Sequence, residues 1–160
     1  MMAGRDPSTA RRIYFPLAHE ADGYPPVSGE TLWATAVGPG AYRIDSIPFF
    51  ATRVSLGDVI EAEMIDGMPT FERVRQRGGH STLRVAIYDL AAVPELRSAI
   101  KELGCATELS HLPRLVSVDV PASASLETVR AFLTAGADQG RWDYEEADVP
   151  ATGPFLAEPP

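Results

Sequence analysis

Residues 82–148 carry the most constraining pattern in the chain, an apolar periodicity that alternates between two, as in strands, and about 3.6, as in helices. Leu83, Val85 and Ile87 form one face of a strand. Pro94, favoured in a first helical turn, opens a helix with Leu96, Ile100 and Leu103 on one side, and Gly104 ends it. Cys105 to Ser110 supplies a second strand, His111-Leu112-Pro113 a turn, and Val116, Val118 and Val120 the inner face of a third. Ser125 caps a second helix whose apolar side holds Leu126, Val129, Phe132 and Leu133. Gly136 and Gly140 bracket its exit, and Arg141 to Ala147 makes a last strand. The order β-α-β-β-α-β is that of the ferredoxin-like arrangement.

Upstream the pattern is all strand and turn. Ile13 to Leu17 reads as a first strand, with Pro16 at an edge or bulge because proline cannot donate to a ladder. Asp22-Gly23-Tyr24-Pro25-Pro26 is turn chemistry, and Glu30 to Val37 alternates Leu32, Ala34 and Ala36 against Trp33, Thr35 and Val37. Gly38-Pro39-Gly40 turns the chain into Tyr42–Ile47. Asp58 to Ile65 then sets Ile60, Ala62 and Met64 against Glu61 and Glu63. Asp66-Gly67 marks a hairpin, and charge decides its register. A two-residue loop would face Glu61 with Glu72, whereas a loop of Asp66-Gly67-Met68 faces Glu61 with Arg73 and Ile60 with Val74. Opposite charges across a strand pair help by roughly 0.2–1 kcal/mol, so the longer loop is expected.

The predicted fold class is therefore α+β. An N-terminal antiparallel β unit of small-barrel type, residues 11–81, is fused to a C-terminal ferredoxin-like unit, residues 82–149. A disordered lead-in over 1–10 and a flexible tail over 150–160 are expected to flank them.

The candidate site lies where the two patterns join. Gly78-Gly79-His80-Ser81-Thr82-Leu83-Arg84 gathers pliable backbone, an imidazole, two hydroxyls and a guanidinium. Such a turn can act as an anion-binding nest, with Gly79, His80, Ser81, Thr82 and Arg84 as ligand-binding residues. Two glycines there imply φ > 0 backbone. The plainer alternative is a glycine hinge whose polar side chains cap a strand end. His80 is the candidate acid/base, but a neighbouring serine rarely aligns with it as nucleophile. Asp45 and Asp58 join the candidate set, from the carboxylates Asp22, Glu30, Asp45 and Asp58 that punctuate the β unit. A pair of these could serve acid–base chemistry, while Asx turns are the commoner use. Arg73, Arg75 and Arg77 share one strand face, and pairing with Glu61, Glu63 and Glu72 on a solvated sheet explains them best.

Charge and composition exclude several classes. A net charge of -8 argues against broad docking on phosphate backbones or anionic membranes. The ferredoxin-like sheet would leave Arg84, Ala86 and Tyr88 on its open face beside Asp143 and Glu145, a poor base-stacking platform, so nucleic acid is disfavoured. One cysteine, Cys105, gives no internal disulfide and no cysteine-based zinc site, and His19, His80 and His111 lack metal-ligand spacing. No metal and no cofactor is expected. The N-terminal residues lack an apolar signal region and no run is long enough to cross a bilayer, which makes a reducing cytoplasm the expected location.

Asp22-Gly23-Tyr24-Pro25-Pro26, Glu30-Thr31-Leu32-Trp33-Ala34, Ile47-Pro48-Phe49-Phe50, Gly57-Asp58-Val59 and Gly79-His80-Ser81-Thr82-Leu83-Arg84 occur in that order. The series resembles a bacterial domain-of-unknown-function family, the one numbered 4265, over roughly residues 12–148. The resemblance implies a small cytoplasmic bacterial protein and no activity that can be carried to a residue. It favours a site in the β unit or its exit, and leaves the C-terminal half as support or a dimer interface.

Two functions are expected from these features. The first is a non-catalytic binding or accessory protein, of immunity type, that meets a protein or a small acidic or peptidic ligand. The second is a small cofactor-independent enzyme acting on a peptide or natural-product intermediate. Its pocket would lie between the units, with His80 as acid/base and Arg84 holding a carboxylate.

Overall fold

The computed structural model describes residues 5–19 and 21–150. The tail expected over 150–160 therefore lies outside the described residues apart from Pro150, as do residues 1–4 of the expected disordered lead-in. Residues 7–9 turn the chain into the first strand. The Asp6 carboxylate accepts from the Ser8 N–H at 2.9 Å and the Ser8 hydroxyl at 2.8 Å.

The chain divides into two compact units between Gly78 and Gly79. The first contains β1 (Ala10–Pro16), β2 (Gly29–Gly38), β3 (Ala41–Ile44), β4 (Val59–Ile65) and β5 (Met68–Gln76). These close into a barrel in sequence order, antiparallel throughout except where Tyr14 of β1 meets Thr70 of β5 in parallel. Closure removes the exposed strand edges that an open sheet would present. Ile13, Phe15, Leu32, Ala34, Ile44, Ala51, Val54 and Ile60 fill the interior, and Phe71 stacks on Phe15 at 4.6 Å. The alternation of Leu32 and Ala34 inward against Trp33 outward is the one the sequence predicts. β3 stops at Ile44 instead of running to Ile47 because Ser46 leaves the ladder. Its hydroxyl, not a backbone carbonyl, accepts the Trp33 N–H at 3.0 Å.

The β4–β5 hairpin keeps the expected partners and changes the turn. Ile60 faces Val74 and Glu61 faces Arg73, yet Ile65 pairs with Met68, so the loop is only Asp66-Gly67. Both take positive φ, 51° and 80°, as a tight two-residue turn requires. An extra residue on β5, Glu72, restores the register: Ala62 pairs with Phe71 and Glu61 with Arg73. A bulge thus achieves the charge pairing that a longer loop was expected to provide.

The second unit contains β6 (Ser81–Ile87), a short 3-10 turn (Leu90–Ala92), α1 (Val93–Glu102), β7 (Ala106–Leu109), β8 (Leu115–Val120), α2 (Leu126–Asp138) and β9 (Trp142–Asp148). Its four-stranded sheet runs β7-β8-β6-β9 with every neighbouring pair antiparallel. Ser125 caps α2 by accepting the Thr128 N–H, and Gly104, at φ 83°, follows the end of α1. Leu83, Val85, Ile87, Val116, Val118 and Val120 share one core with Leu96 and Ile100 of α1, Val129 and Leu133 of α2, and Trp142. Burying each such side chain contributes about 1.5–3 kcal/mol. The opposite face departs from expectation, because Thr82, Arg84, Ser117 and Asp119 are also buried. No helix among the described residues is long and apolar enough to cross a membrane.

Candidate functional site

The second unit brings together a histidine and a carboxylate that lie 39 residues apart. β6 pairs with β8 so that Ser81 meets Val120 and Thr82 meets Asp119, which places His80, just before β6, at the Asp119 end of the ladder. Nδ1 of His80 lies 2.9 and 2.8 Å from the two Asp119 oxygens. A carboxylate can only accept, so Nδ1–H donates to it and the neutral ring keeps its lone pair on Nε2. This fixes the tautomer and the ring plane. The imidazole side chain is 22% exposed, while Asp119 is 4% exposed.

Residues facing one another across the ladders extend this polar face. Ser117 on β8 meets Arg84 on β6, which meets Glu145 on β9. One guanidinium nitrogen of Arg84 stands 3.6 Å from the Glu145 carboxylate. Arg84 is only 4% and Ser117 0% exposed, and among the described residues the Ser117 hydroxyl has no hydrogen-bond partner. Cys105 belongs to the apolar core of the same unit. Burial, and secondarily the Asp119 charge, pushes its thiol above the ordinary range, so it stays protonated and a poor nucleophile.

The glycine turn serves the barrel. The Gly78 N–H donates to Oδ1 of Asp58 at 2.7 Å, and the Ser55 N–H donates to Oδ2 at 2.9 Å. Arg77 adds its charge 3.4 Å from Oδ2 and donates to the Arg53 carbonyl at 2.7 Å. Asp58 is 0% exposed, so an internal carboxylate already occupies the position at the Gly78 amide where a nest would hold an anion. The two glycines differ in kind. Gly79 has φ 87°, as expected, but Gly78 does not share the positive φ. Gly78 is constrained by space instead: a Cβ there would lie 2.5 Å from the Gly57 carbonyl.

The other carboxylates of the barrel are similarly engaged. Glu30 accepts three backbone N–H groups, from Phe49 at 2.6 Å, Phe50 at 3.0 Å and Ala51 at 2.8 Å. Its role in tying down this loop was not apparent from the sequence. Asp22 accepts the Tyr24 N–H in an Asx turn, and Asp45 pairs with Arg5 at 3.3 Å. Asp45 and Asp58 thus belong to the first unit, whereas Gly79, His80, Ser81, Thr82 and Arg84 belong to the second. Arg73 and Arg75 converge on Glu61, while Arg77 turns to Asp58. Burial acts to raise the Glu61 carboxyl, and hydrogen bonds and charge from the two arginines outweigh it, leaving it below the usual carboxylate range. His19 meets the Val27 carbonyl at 3.0 Å, and among the described residues no three metal-ligating side chains gather.

Comparison with known proteins places the fold in a family. The sequence model of a family described as a domain of unknown function, DUF4265, matches residues 30–144, and the chain belongs to that family. A crystal structure of a hypothetical protein from Neisseria gonorrhoeae has a similar fold, with a TM-score of 0.74 at 19% identity. The alignment covers 90% of this chain and 96% of that one. No curated protein matches the sequence.

Proposed function

We propose that this DUF4265 member is a soluble, cytoplasmic bacterial accessory protein, of immunity type, that acts by binding a partner and not by catalysis. One observation carries the reading: Thr82, Arg84, Ser117 and Asp119, the polar groups associated with His80 on the second sheet, are each at most 4% exposed. A group that binds or transforms a substrate must reach it. These side chains serve instead as polar framework for the sheet. Its strand order, β7-β8-β6-β9, supports the ferredoxin-like arrangement for the second unit, which is a scaffold and implies no activity. Such a scaffold also leaves open a homodimer as the working form.

Repeated affinity capture from native bacterial lysate tests this reading, with a parallel screen of small metabolites by thermal shift. A partner protein recovered in every preparation is the expected result. Recovery of none, together with saturable binding of a metabolite, contradicts it.

The runner-up reading is a small cofactor-independent enzyme, favoured by one feature of the geometry. Asp119 orients His80 through Nδ1 and leaves Nε2 as a base, the relation a general base bears to its orienting carboxylate. Arg84 would then hold a substrate carboxylate. Once a substrate is identified, turnover by folded His80→Ala and Arg84→Ala variants decides the matter. Loss of turnover in both supports catalysis, and survival in both eliminates it.

A further inference from the structure

The outer face of the barrel along β1, β2 and β3 concentrates arginine around a tryptophan. Trp33 is 37% exposed, and Arg12 stands directly across the β1–β2 ladder from it. The guanidinium carbon of Arg12 lies 5.5 Å from the indole centroid, and that of Arg5 lies 5.0 Å away. Thr35, on the same face as Trp33 two positions along, pairs with Arg43 of β3, which is also exposed. Asp45 pairs with Arg5 at 3.3 Å. Three guanidinium groups thus gather on one face of a chain whose net charge is -8. Val37, exposed on the same strand, adds an apolar contact.

We propose that this face binds an acidic, extended segment of a partner protein, an inference that rests on reading the protein as a binder. The cation–π contacts hold Arg5 and Arg12 against the indole, which lowers the entropy cost of presenting their donor forks. A guanidinium fork matches a carboxylate with two parallel N–H···O bonds. Protein segments fit better than nucleic acid for two reasons. Arg5 and Arg12 stand within cation–π distance of the indole, so a base stacking on it would compete with them for its surface. A long polyanion would also feel the repulsion of the whole chain, whereas a short segment responds to charges within a Debye length of about 8 Å.

The test is fluorescence polarisation with a labelled peptide of alternating glutamate and leucine, run beside a single-stranded oligonucleotide and an oligolysine peptide. Indole emission is followed in parallel, since Trp33 is exposed and Trp142 is buried. Wild-type protein should bind the acidic peptide saturably, with affinity falling as salt rises, and should perturb the exposed indole. Arg12→Glu with Arg43→Glu, checked for an unchanged denaturation midpoint, should lose about tenfold or more by charge reversal. Arg12→Gln should fall between. No saturable binding, equal binding by the double variant, or tighter binding of the oligonucleotide or oligolysine overturns the proposal. The lysate capture separates the two levels of inference. A partner captured equally by wild type and double variant overturns this surface while leaving the binding function standing.

Discussion

Asp58 in the barrel and Asp119 in the second sheet are both buried carboxylates, and they keep very different company. Asp58 holds the Ser55 and Gly78 N–H groups and faces Arg77, partners whose hydrogens do not leave near neutral pH. Asp119 holds the Nδ1–H of an imidazole, a side-chain donor from outside its own strand. The first arrangement ties the loop before β4 to the end of β5 by fixed dipoles and a permanent cation. The second joins the start of β6 to β8 through a side-chain ring. On this account both arrangements are architecture, Asp58 and Glu30 by holding backbone amides and Asp119 by holding a side chain at the start of the neighbouring strand.

The sharpest way to break this contrast is Asp58→Ala. It strands two backbone N–H groups and removes the carboxylate beside Arg77, and removing one member of such a buried set costs about 3–5 kcal/mol. Urea denaturation should show a loss of that order. A loss under about 1 kcal/mol would mean that the loop finds other partners and that Asp58 is not architectural.

The next effects come from the glycine pair. Gly78→Ala drives a methyl group into the Gly57 carbonyl and should cost about 1–3 kcal/mol through backbone displacement. Gly79→Ala meets only Ala122 at ordinary contact distance, so its cost is that of the positive φ, about 1 kcal/mol. Denaturation midpoints in the reverse order would contradict the separation of a spatial from a conformational constraint.

The smallest effect belongs to the exposed pairs. Hydrogen bonds from Arg130 hold the Glu146 carboxyl below its ordinary value of 4.5, against partial burial. The unfolded chain protonates first as pH falls, so this contribution is present above about pH 4.5 and is lost as pH drops through the lower folded value. Arg130→Gln should lower the denaturation midpoint only slightly at neutral pH, because solvent screens an exposed pair. Its gap from wild type should narrow as pH falls below about 4.5. A gap that persists there would point to packing of the arginine stem.

How far these features could be read in advance follows from how local they are. The helices, their caps and the inward faces of β2, β6 and β8 depend on neighbours within a few residues, and periodicity reveals them. The Glu61–Arg73 pairing was legible from charge, but the Glu72 bulge that produces it was not, because two turn lengths satisfy the same pairs. Gly79 was legible from the turn, whereas Gly78 is constrained by Gly57, which no local pattern places beside it. His80 stood out, but Asp119 did not. Its one signal was a polar residue between Val118 and Val120 on a strand whose other face is core. Arg84 was expected on an open face and is buried, since alternation assigns a residue to a face without saying whether that face meets solvent.

The central claim is that the His80–Asp119 pair is framework and that binding is carried elsewhere. The chemical-denaturation midpoint of His80→Ala tests it without need of any ligand. Framework predicts a loss of about 1.5–3 kcal/mol, the worth of a hydrogen bond to a charged group buried as Asp119 is. Groups kept for function commonly sit at a cost to stability, so their replacement is neutral or stabilising. A midpoint for His80→Ala equal to or above that of wild type would contradict the account and return His80 to the role of a base.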